Sequence, residues 1–144
     1  MTKTEFVKWL YPSAKIGEIN PVFTIVQAAL ETGWGKTKIG EYNLFGVTKG
    51  SSWKGDTILV LTTEIFDNPD KKFLAPEKIV SISKVAMNGT VRYKYKVYRL
   101  FRKYRSLSEA LSDHQRILQL PGYSDAWPYR KSAVEYAKRI CDNQ

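Results

Sequence analysis

The longest run of apolar positions in the chain predicts a single buried helix near the N-terminus. Asn20 is a favourable N-cap, Pro21 suits the first helical turn, and Gly33 is typical of the residue that ends a helix. Apolar residues between these signals cover nearly every face, which is the pattern of a helix packed in the middle of a core. Those apolar residues are Val22, Phe23, Ile25, Val26, Ala28, Ala29 and Leu30.

Three polar residues interrupt the apolar pattern of this helix. Thr24, Gln27 and Glu31 are spaced three and four residues apart, so they share one narrow stripe that is suited to lining a cleft. A carboxylic acid at a cleft wall is the group that general acid catalysis needs. A glutamate in the last helical turn is more often simply solvated, so the residues alone leave both interpretations of Glu31 open.

Apolar and polar positions alternate with a period of two in the middle of the chain. This alternation predicts a strand over Thr57–Phe66 and a partner strand over Val91–Phe101, where aromatic residues alternate with Lys and Arg. Glu64 shares its face of the first strand with apolar residues. A solvated glutamate rarely has that placement, so the pattern favours a functional carboxylate.

Three other segments have helical periodicity. A capping-box sequence at Thr2–Glu5 begins a short helix, and a second, at Ser106–Glu109, begins a helix that reaches about Leu120. A last helix is expected over Ser132–Cys141. His114 falls on the inward face of the second of these helices, which favours a packing role for it.

Composition narrows the function classes. The 144 residues are enough for one domain with a proper core, and 43% hydrophobic residues exclude a disordered chain. The 13% of aromatic residues suit a groove that stacks on flat ligands such as sugar rings. A net charge of +9 indicates a polyanionic partner, which is a nucleic acid, an anionic lipid or a wall rich in acidic polymers. One Cys and one His cannot build a disulfide framework or a metal site of those residue types, so we expect no cofactor and no metal.

Four separated motifs occur in order along about three quarters of the chain. In this order they resemble the bacterial peptidoglycan N-acetylglucosaminidases, glycoside hydrolase family 73, which includes the flagellar muramidase domain and many autolysins. The motifs are Ala-Leu-Glu31-Thr-Gly-Trp-Gly, Asn43-Leu-Phe-Gly46, Trp53-Lys-Gly55 leading to Thr62-Thr-Glu64, and Phe101-Arg-Lys-Tyr104 followed by Ser108-Glu-Ala-Leu-Ser-Asp-His114.

The resemblance implies an α+β, lysozyme-like fold with a mostly helical core and a small β-hairpin lobe that carries an insertion. Residues 1–144 would then form one catalytic domain, with the lobe at about 51–104. The insertion lies at about 67–90, where typical family members have only a brief turn. Within it, the pattern over Pro76–Met87 fits a helix and an extra strand equally well.

The resemblance also implies an activity, that of an endo-β-N-acetylglucosaminidase that cleaves the β-1,4 bond after N-acetylglucosamine in peptidoglycan. Glu31 matches the general acid, and Glu64 is the candidate second carboxylate. The mechanism stays open between retention, inversion and substrate-assisted attack. Tyr123 and Tyr129 are the two candidates for a tyrosine that lines the active site.

Substrate binding is assigned to a set of polar and aromatic residues near the motifs. The aromatic members of this set suit core positions equally well, and its asparagine equally suits a turn. The set consists of Gln27, Trp34, Asn43, Phe45, Trp53 and Tyr104.

Two alternative functions remain for the same fold. One is a lytic transglycosylase or muramidase, which needs a single glutamate. The other is an inactive cell-wall-binding or virion structural module, which keeps the aromatic groove and the basic surface. The charge also permits nucleic-acid binding, but no recognised motif supports it. We therefore expect a monomer whose partners are peptidoglycan strands and anionic wall polymers, with no nucleic acid.

The hydropathy pattern bears on where such an enzyme acts. No window is long enough to span a membrane, and Lys3, Glu5 and Lys8 interrupt the N-terminal apolar run before a signal peptide forms. An enzyme that acts on the wall, outside the membrane, then needs another route. A holin, a phage particle, a specialised secretion system or a leader absent from this sequence would provide one.

Overall fold

The computed structural model describes residues 1–142, which form helices at both ends of the chain and a sheet between them. The elements in chain order are α1 (Lys3–Ala14), α2 (Pro21–Thr32), β1 (Thr57–Phe66), β2 (Lys78–Met87), β3 (Thr90–Arg102), α3 (Leu107–Ile117), a 3-10 helix (Ser124–Tyr129) and α4 (Ala133–Asp142).

The described residues divide into two compact units. The helical unit comprises residues 1–46 and 104–142, and the sheet unit comprises Val47–Lys103. The lobe predicted at about 51–104 therefore begins a few residues earlier than expected. That the two units act as one catalytic domain over residues 1–144 stays a prediction.

Helix α2 begins and ends where its local signals predict. The Asn20 side-chain oxygen accepts a hydrogen bond from the Val22 N–H at 2.9 Å, which satisfies one free donor at the helix N-terminus. Gly33 ends the helix in the left-handed conformation, at φ 56°. That conformation favours glycine because it lacks a Cβ atom.

The prediction that α2 is buried on nearly every face is wrong. Val22, Val26 and Leu30, spaced four residues apart, are 57%, 50% and 81% exposed. They lie along an open apolar groove of about 480 Å³ between α2 and α4. Thr24, predicted to line a cleft, is buried instead and borders a small cavity beside His114. Neighbouring helices cover α2 only partly, so its apolar pattern overstates its burial.

The helical unit has two groups of buried side chains. Helix α1 supplies Phe6, Leu10 and Ala14 to the first group, which packs against the inner face of α2. The second group joins residues before and within α2 to α3, the 3-10 helix and α4. Its members are Ile19, Phe23, Leu118, Ala126, Tyr136 and Ile140.

The three strands form an antiparallel sheet in the order β1-β3-β2. Strand β1 has the predicted bounds, and β3 is one residue longer at each end than predicted. The segment whose pattern left a helix and a strand open forms β2, which pairs with the far edge of β3. The sheet therefore has three strands where a hairpin was expected, because the insertion adds an edge strand to it.

None of the helices within residues 1–142 combines the length and the apolar character that crossing a membrane requires.

Candidate active site

Glu31 lies in the last turn of α2 with its side chain exposed. Within the described residues its carboxylate has neither an ion pair nor a hydrogen bond. The carboxylate is therefore open to solvent and to an incoming ligand.

The backbone that follows Glu31 is firmly held. The buried Thr32 hydroxyl donates to the Ala28 carbonyl at 2.7 Å and accepts from the Gly35 N–H at 2.8 Å. Gly33, Trp34 and Gly35 have φ values of 56°, 62° and 87°, so the chain reverses through three consecutive left-handed residues. Such a backbone is costly for a tryptophan and persists only where its surroundings fix it. The Thr-Gly-Trp-Gly motif thus fixes the backbone directly after Glu31, while the Glu31 carboxylate stays free.

Glu64 has the opposite environment in the sheet unit. Its Oε2 lies 2.5 Å from Nη1 of Arg99 on the adjacent strand, and its side chain is 27% exposed. Glu64 stands on the face of the sheet that also carries Tyr95, its register partner, which is fully buried. The predicted placement of Glu64 on an apolar face is confirmed.

Arg99 is itself held by residues of the insertion, which sequence analysis did not single out. Its Nε donates to Oε2 of Glu77 at 2.8 Å, and the same oxygen accepts the Leu100 N–H at 2.9 Å. The guanidinium also lies over the ring of Phe73, 5.0 Å from its centroid. Burial acts to lower the pKa of Arg99, but its hydrogen bonds and ion pairs with Glu64 and Glu77 outweigh burial and raise it. The cluster is Glu64–Arg99–Glu77, and no local sequence pattern links these three positions.

Gln27 and Phe45, two predicted substrate-binding residues, both contact His114. The ring of Phe45 stacks on the imidazole with centroids 3.7 Å apart and planes at 12°. The Gln27 side-chain oxygen lies 2.8 Å from Nε2 of His114, within hydrogen-bond distance. Burial lowers the pKa of His114 to about 3, while the charge of Asp113 acts to raise it. The contacts of Gln27 and Phe45 with the buried His114 therefore fit the packing role expected for this histidine.

Tyr104 and Asn43 are buried rather than open to a ligand. The Tyr104 hydroxyl donates to Oδ2 of Asp113 at 2.5 Å, and Oδ1 of that carboxylate accepts from Arg116 at 2.9 Å. Asn43 is 1% exposed and closes a short backbone bridge with Ile39. These positions fit the core and turn placements that the two residues suit equally well, and substrate binding by either stays a prediction.

The two predicted sugar-stacking tryptophans are half-buried. Trp34 meets the ring of Phe6 edge-on at 6.0 Å in the helical unit. Trp53 lies in the sheet unit, where its indole N–H donates to the Asp56 carbonyl at 2.8 Å and Arg102 lies 5.2 Å from its ring centroid. Each tryptophan retains an exposed part, so stacking on a sugar stays a prediction for both.

The two tyrosine candidates lie at the two ends of the 3-10 helix. Tyr123 precedes it and packs, half-buried, against the second group of core residues. Tyr129 ends it, is 37% exposed, and carries the Arg139 guanidinium 4.2 Å from its ring centroid. The greater exposure of Tyr129 makes it the better candidate for contact with a ligand.

Within residues 1–142, no three His, Cys, Asp or Glu side chains come together as potential metal ligands. Of the two candidate carboxylates, that of Glu31 in the helical unit is free, and that of Glu64 in the sheet unit is paired with Arg99.

Sequence comparisons agree with these observations. The sequence model of the Glucosaminidase family, described as mannosyl-glycoprotein endo-beta-N-acetylglucosaminidase, matches residues 8–143. Peptidoglycan hydrolase FlgJ of Pseudomonas aeruginosa is 28% identical over 150 aligned residues, which cover 94% of this chain and 36% of that protein. FlgJ of Escherichia coli K12 is 37% identical over 100 residues, which cover 65% of this chain and 24% of that protein. The chain thus spans about a third or less of these relatives.

Solved structures give the same picture for the fold. The C-terminally truncated glycoside hydrolase domain of FlgJ from Salmonella typhimurium matches 99% of this chain and 85% of its own, with TM-score 0.68 and 27% identity. A peptidoglycan hydrolase mutant from Sphingomonas sp. A1 matches 99% of this chain and 82% of its own, with TM-score 0.65 and 24% identity. The predicted α+β, lysozyme-like fold class is confirmed.

Proposed function

The chain belongs to the glucosaminidase family, and from that premise we propose that it is a glycoside hydrolase of the bacterial cell wall. Its reaction is hydrolysis of the β-1,4 bond after N-acetylglucosamine in the glycan strands of peptidoglycan. The family match over residues 8–143 and the similarity to peptidoglycan hydrolases support this proposal.

The observation that carries the proposal is the environment of Glu31. A general acid has to give its proton to the leaving oxygen, so its carboxyl must be reachable and must not be committed to a cation. Glu31 is exposed, has no partner among the described residues, and stands beside a rigid turn. We assign Glu31 the role of protonating the glycosidic oxygen.

Glu64 suits a different role in the same reaction. Its ion pair with Arg99 stabilises the charged carboxylate and fixes its position. A fixed negative charge stabilises an oxocarbenium-like transition state, and it also orients a water molecule or the 2-acetamido group of the substrate. We assign Glu64 as this second carboxylate, with Tyr129 ahead of Tyr123 as the tyrosine that contacts the sugar.

A lytic transglycosylase is the second candidate function, because Glu31 is the one of the two carboxylates that is free. Such an enzyme needs no second carboxylate, since the substrate's own hydroxyl attacks and leaves an anhydro product. The two functions therefore differ in the ends of the glycan fragments that they produce and in their dependence on Glu64.

The proposed substrate sets the place of action and the partners. We propose that the protein acts on the cell wall outside the membrane, reaching it by a holin, a phage particle, a secretion system or a leader. It is proposed to act as a monomer, with a peptidoglycan strand as substrate.

The test is mass spectrometry of purified peptidoglycan digested by the wild type, Glu31→Gln and Glu64→Gln. Glu135→Gln is the matched control, since Glu135 is also a partly exposed helical glutamate. We expect fragments with reducing N-acetylglucosamine ends from the wild type and the control, and none from Glu31→Gln.

Other outcomes contradict the proposal in distinct ways. Anhydro ends that persist in Glu64→Gln would establish the transglycosylase instead. Fragments with reducing muramic acid ends would show that the enzyme cleaves the neighbouring glycosidic bond instead. Absence of any digestion across several wall types would leave an inactive wall-binding module.

A further inference from the structure

The positive charge of the chain is concentrated in the sheet unit. Val47–Lys103 holds twelve Lys and Arg against five Asp and Glu, a net charge of +7, while the whole chain has 23 against 14, or +9. The helical unit, although longer, therefore contributes only the remaining +2. The basic character of the protein therefore comes mainly from the sheet unit.

The two faces of the sheet differ in their chemistry. One face carries Tyr95, Val97 and the Glu64–Arg99–Glu77 cluster. Residues that alternate with Tyr95 and Val97 along β3 point to the opposite side, and their register partners on β1 and β2 share that side. We call this side the lysine face. It consists of Leu59, Leu61, Thr63 and Ile65 of β1, Arg92, Lys94, Lys96 and Tyr98 of β3, and Lys78, Ser81, Ser83 and Val85 of β2.

The lysines of this face are exposed and lack acidic partners. Among the described residues, the ion pair on this face joins Arg92 to Asp67, and both of its side chains are largely solvated. Lys78, Lys94 and Lys96 have no carboxylate within ion-pair distance there. Their charges are therefore available to an external anion.

Hydroxyl groups lie directly beside these lysines. In register, Thr63 and Ser81 flank Lys96 on its two sides, and Ser83 lies opposite Lys94. Ammonium and hydroxyl groups together donate hydrogen bonds to the several oxygens of a phosphate. Alternate residues of a strand repeat at roughly 7 Å, so Arg92, Lys94 and Lys96 of β3 present their cations at regular intervals on this face.

We propose that the lysine face binds an extended polymer of phosphate diesters, of the poly(glycerol phosphate) type found in bacterial cell walls. This inference relies on the proposed function for the location of the polymer, next to the glycan. A regular row of cations with adjacent hydroxyl donors is complementary to a flexible chain that has one negative charge per repeat.

The other polyanions match this face less well. Single-stranded nucleic acid is bound by stacking bases on several aromatic side chains, whereas the lysine face has one, Tyr98. A bilayer requires apolar residues that project beyond the cations. Leu59, Leu61 and Ile65 are only 41–49% exposed, and they lie on β1 beside the longer lysine side chains of β3.

The experiment measures binding of purified poly(glycerol phosphate) to the wild type and to Lys94→Ser/Lys96→Ser over a range of salt concentrations. The control is Lys8→Ser/Lys84→Ser, which removes the same charge from exposed positions, one on α1 and one on the opposite face of the sheet. We expect Lys94→Ser/Lys96→Ser to weaken binding about tenfold or more at low salt, with a salt dependence shallower by about one unit of slope per lysine removed. The control should bind like the wild type.

Vesicles of phosphatidylglycerol and a single-stranded oligonucleotide are measured beside the polymer. Equal losses in the two double variants would mean that only net charge matters and would overturn the proposal. Absence of wild-type binding to the polymer, or tighter lysine-dependent binding to vesicles or oligonucleotide, would also overturn it.

Hydrolysis of phosphate-free glycan strands is followed in the same variants. We expect Lys94→Ser/Lys96→Ser to keep the wild-type rate on these strands. Loss of polymer binding with hydrolysis intact supports the lysine face. A wild type that binds the polymer but cleaves no glycan would contradict the proposed function and leave the binding result in place.

Discussion

The two candidate catalytic carboxylates are held in opposite ways. Glu31 lies in the last turn of α2, just before a firmly held backbone turn, but its side chain has no ion pair or hydrogen bond among the described residues. Glu64 belongs to an ordinary strand, yet its side chain is clamped by Arg99, which Glu77 and Phe73 hold in turn. A group that exchanges a proton must be free to change its charge, whereas a group that stabilises positive charge must keep it. The difference between the two environments matches this division of roles.

The comparison also assigns a structural task to the insertion. Glu77 and Phe73 both come from the segment at about 67–90, and both contact Arg99. The insertion therefore does more than add strand β2 to the sheet, since the segment before β2 completes the support of Glu64.

The largest effect is expected from exchanging the two carboxylates for amides. Glu31→Gln should lower kcat for glycan cleavage by about 10²–10⁴-fold because the acidic proton is lost, with a change in stability within about 0.5 kcal/mol. Glu64→Gln, unlike Glu31→Gln, should lower the free energy of unfolding by about 1–2 kcal/mol, because Arg99 loses one of its charged partners. Steady-state kinetics and urea unfolding measure the two effects. Equal stability losses in both variants would erase the contrast.

The next largest effect is expected from removing the clamp. Arg99→Met leaves Glu64 and Glu77 partly buried without a cation, and we expect a loss of about 3 kcal/mol in the free energy of unfolding. Arg92→Met is the matched control on the same strand. Its ion pair with Asp67 has side chains that are 44% and 78% exposed, so it should cost about 0–1 kcal/mol. Similar losses in both variants would contradict the clamp.

The helical unit should respond to acid through His114. Its pKa is about 3 in the folded protein against an ordinary value of 6.5, so between these values the unfolded chain binds a proton that the folded chain does not. Stability therefore falls as the pH falls through this window, by about 2 kcal/mol between pH 7.5 and pH 5. The chain has one His, so His114→Gln should abolish this part of the pH dependence. Gln27→Met, which keeps the imidazole, should retain it; urea titrations at several pH values test both.

The smallest effect concerns the turn that follows Glu31. Thr32→Val keeps the shape but leaves the Gly35 N–H without its acceptor, so we expect a loss of about 1–2 kcal/mol in stability and a reduced kcat. Thr63→Val, at an exposed position of β1, is the control and should change stability by less than about 0.5 kcal/mol. Wild-type kcat in Thr32→Val would show that the rigid turn is unimportant for Glu31.

Sequence by itself determined the features that depend on neighbouring residues. Asn20 and Gly33 set the ends of α2 through bonds and backbone angles within a few positions, and the alternation over Thr57–Phe66 gave β1 its bounds. The ordered motifs likewise identified the family. Caps, turns and periodicity are local interactions, so they can be read from the chain directly.

Tertiary structure decided what depends on contacts between distant residues. The exposure of Val22, Val26 and Leu30 follows from which sides of α2 its neighbours cover, and β2 became a strand because the edge of β3 was available to it. Arg99 meets Glu64 and Glu77 across 35 and 22 positions of sequence. Burial and ion pairing are properties of elements that pack together, and no local pattern encodes which elements those are.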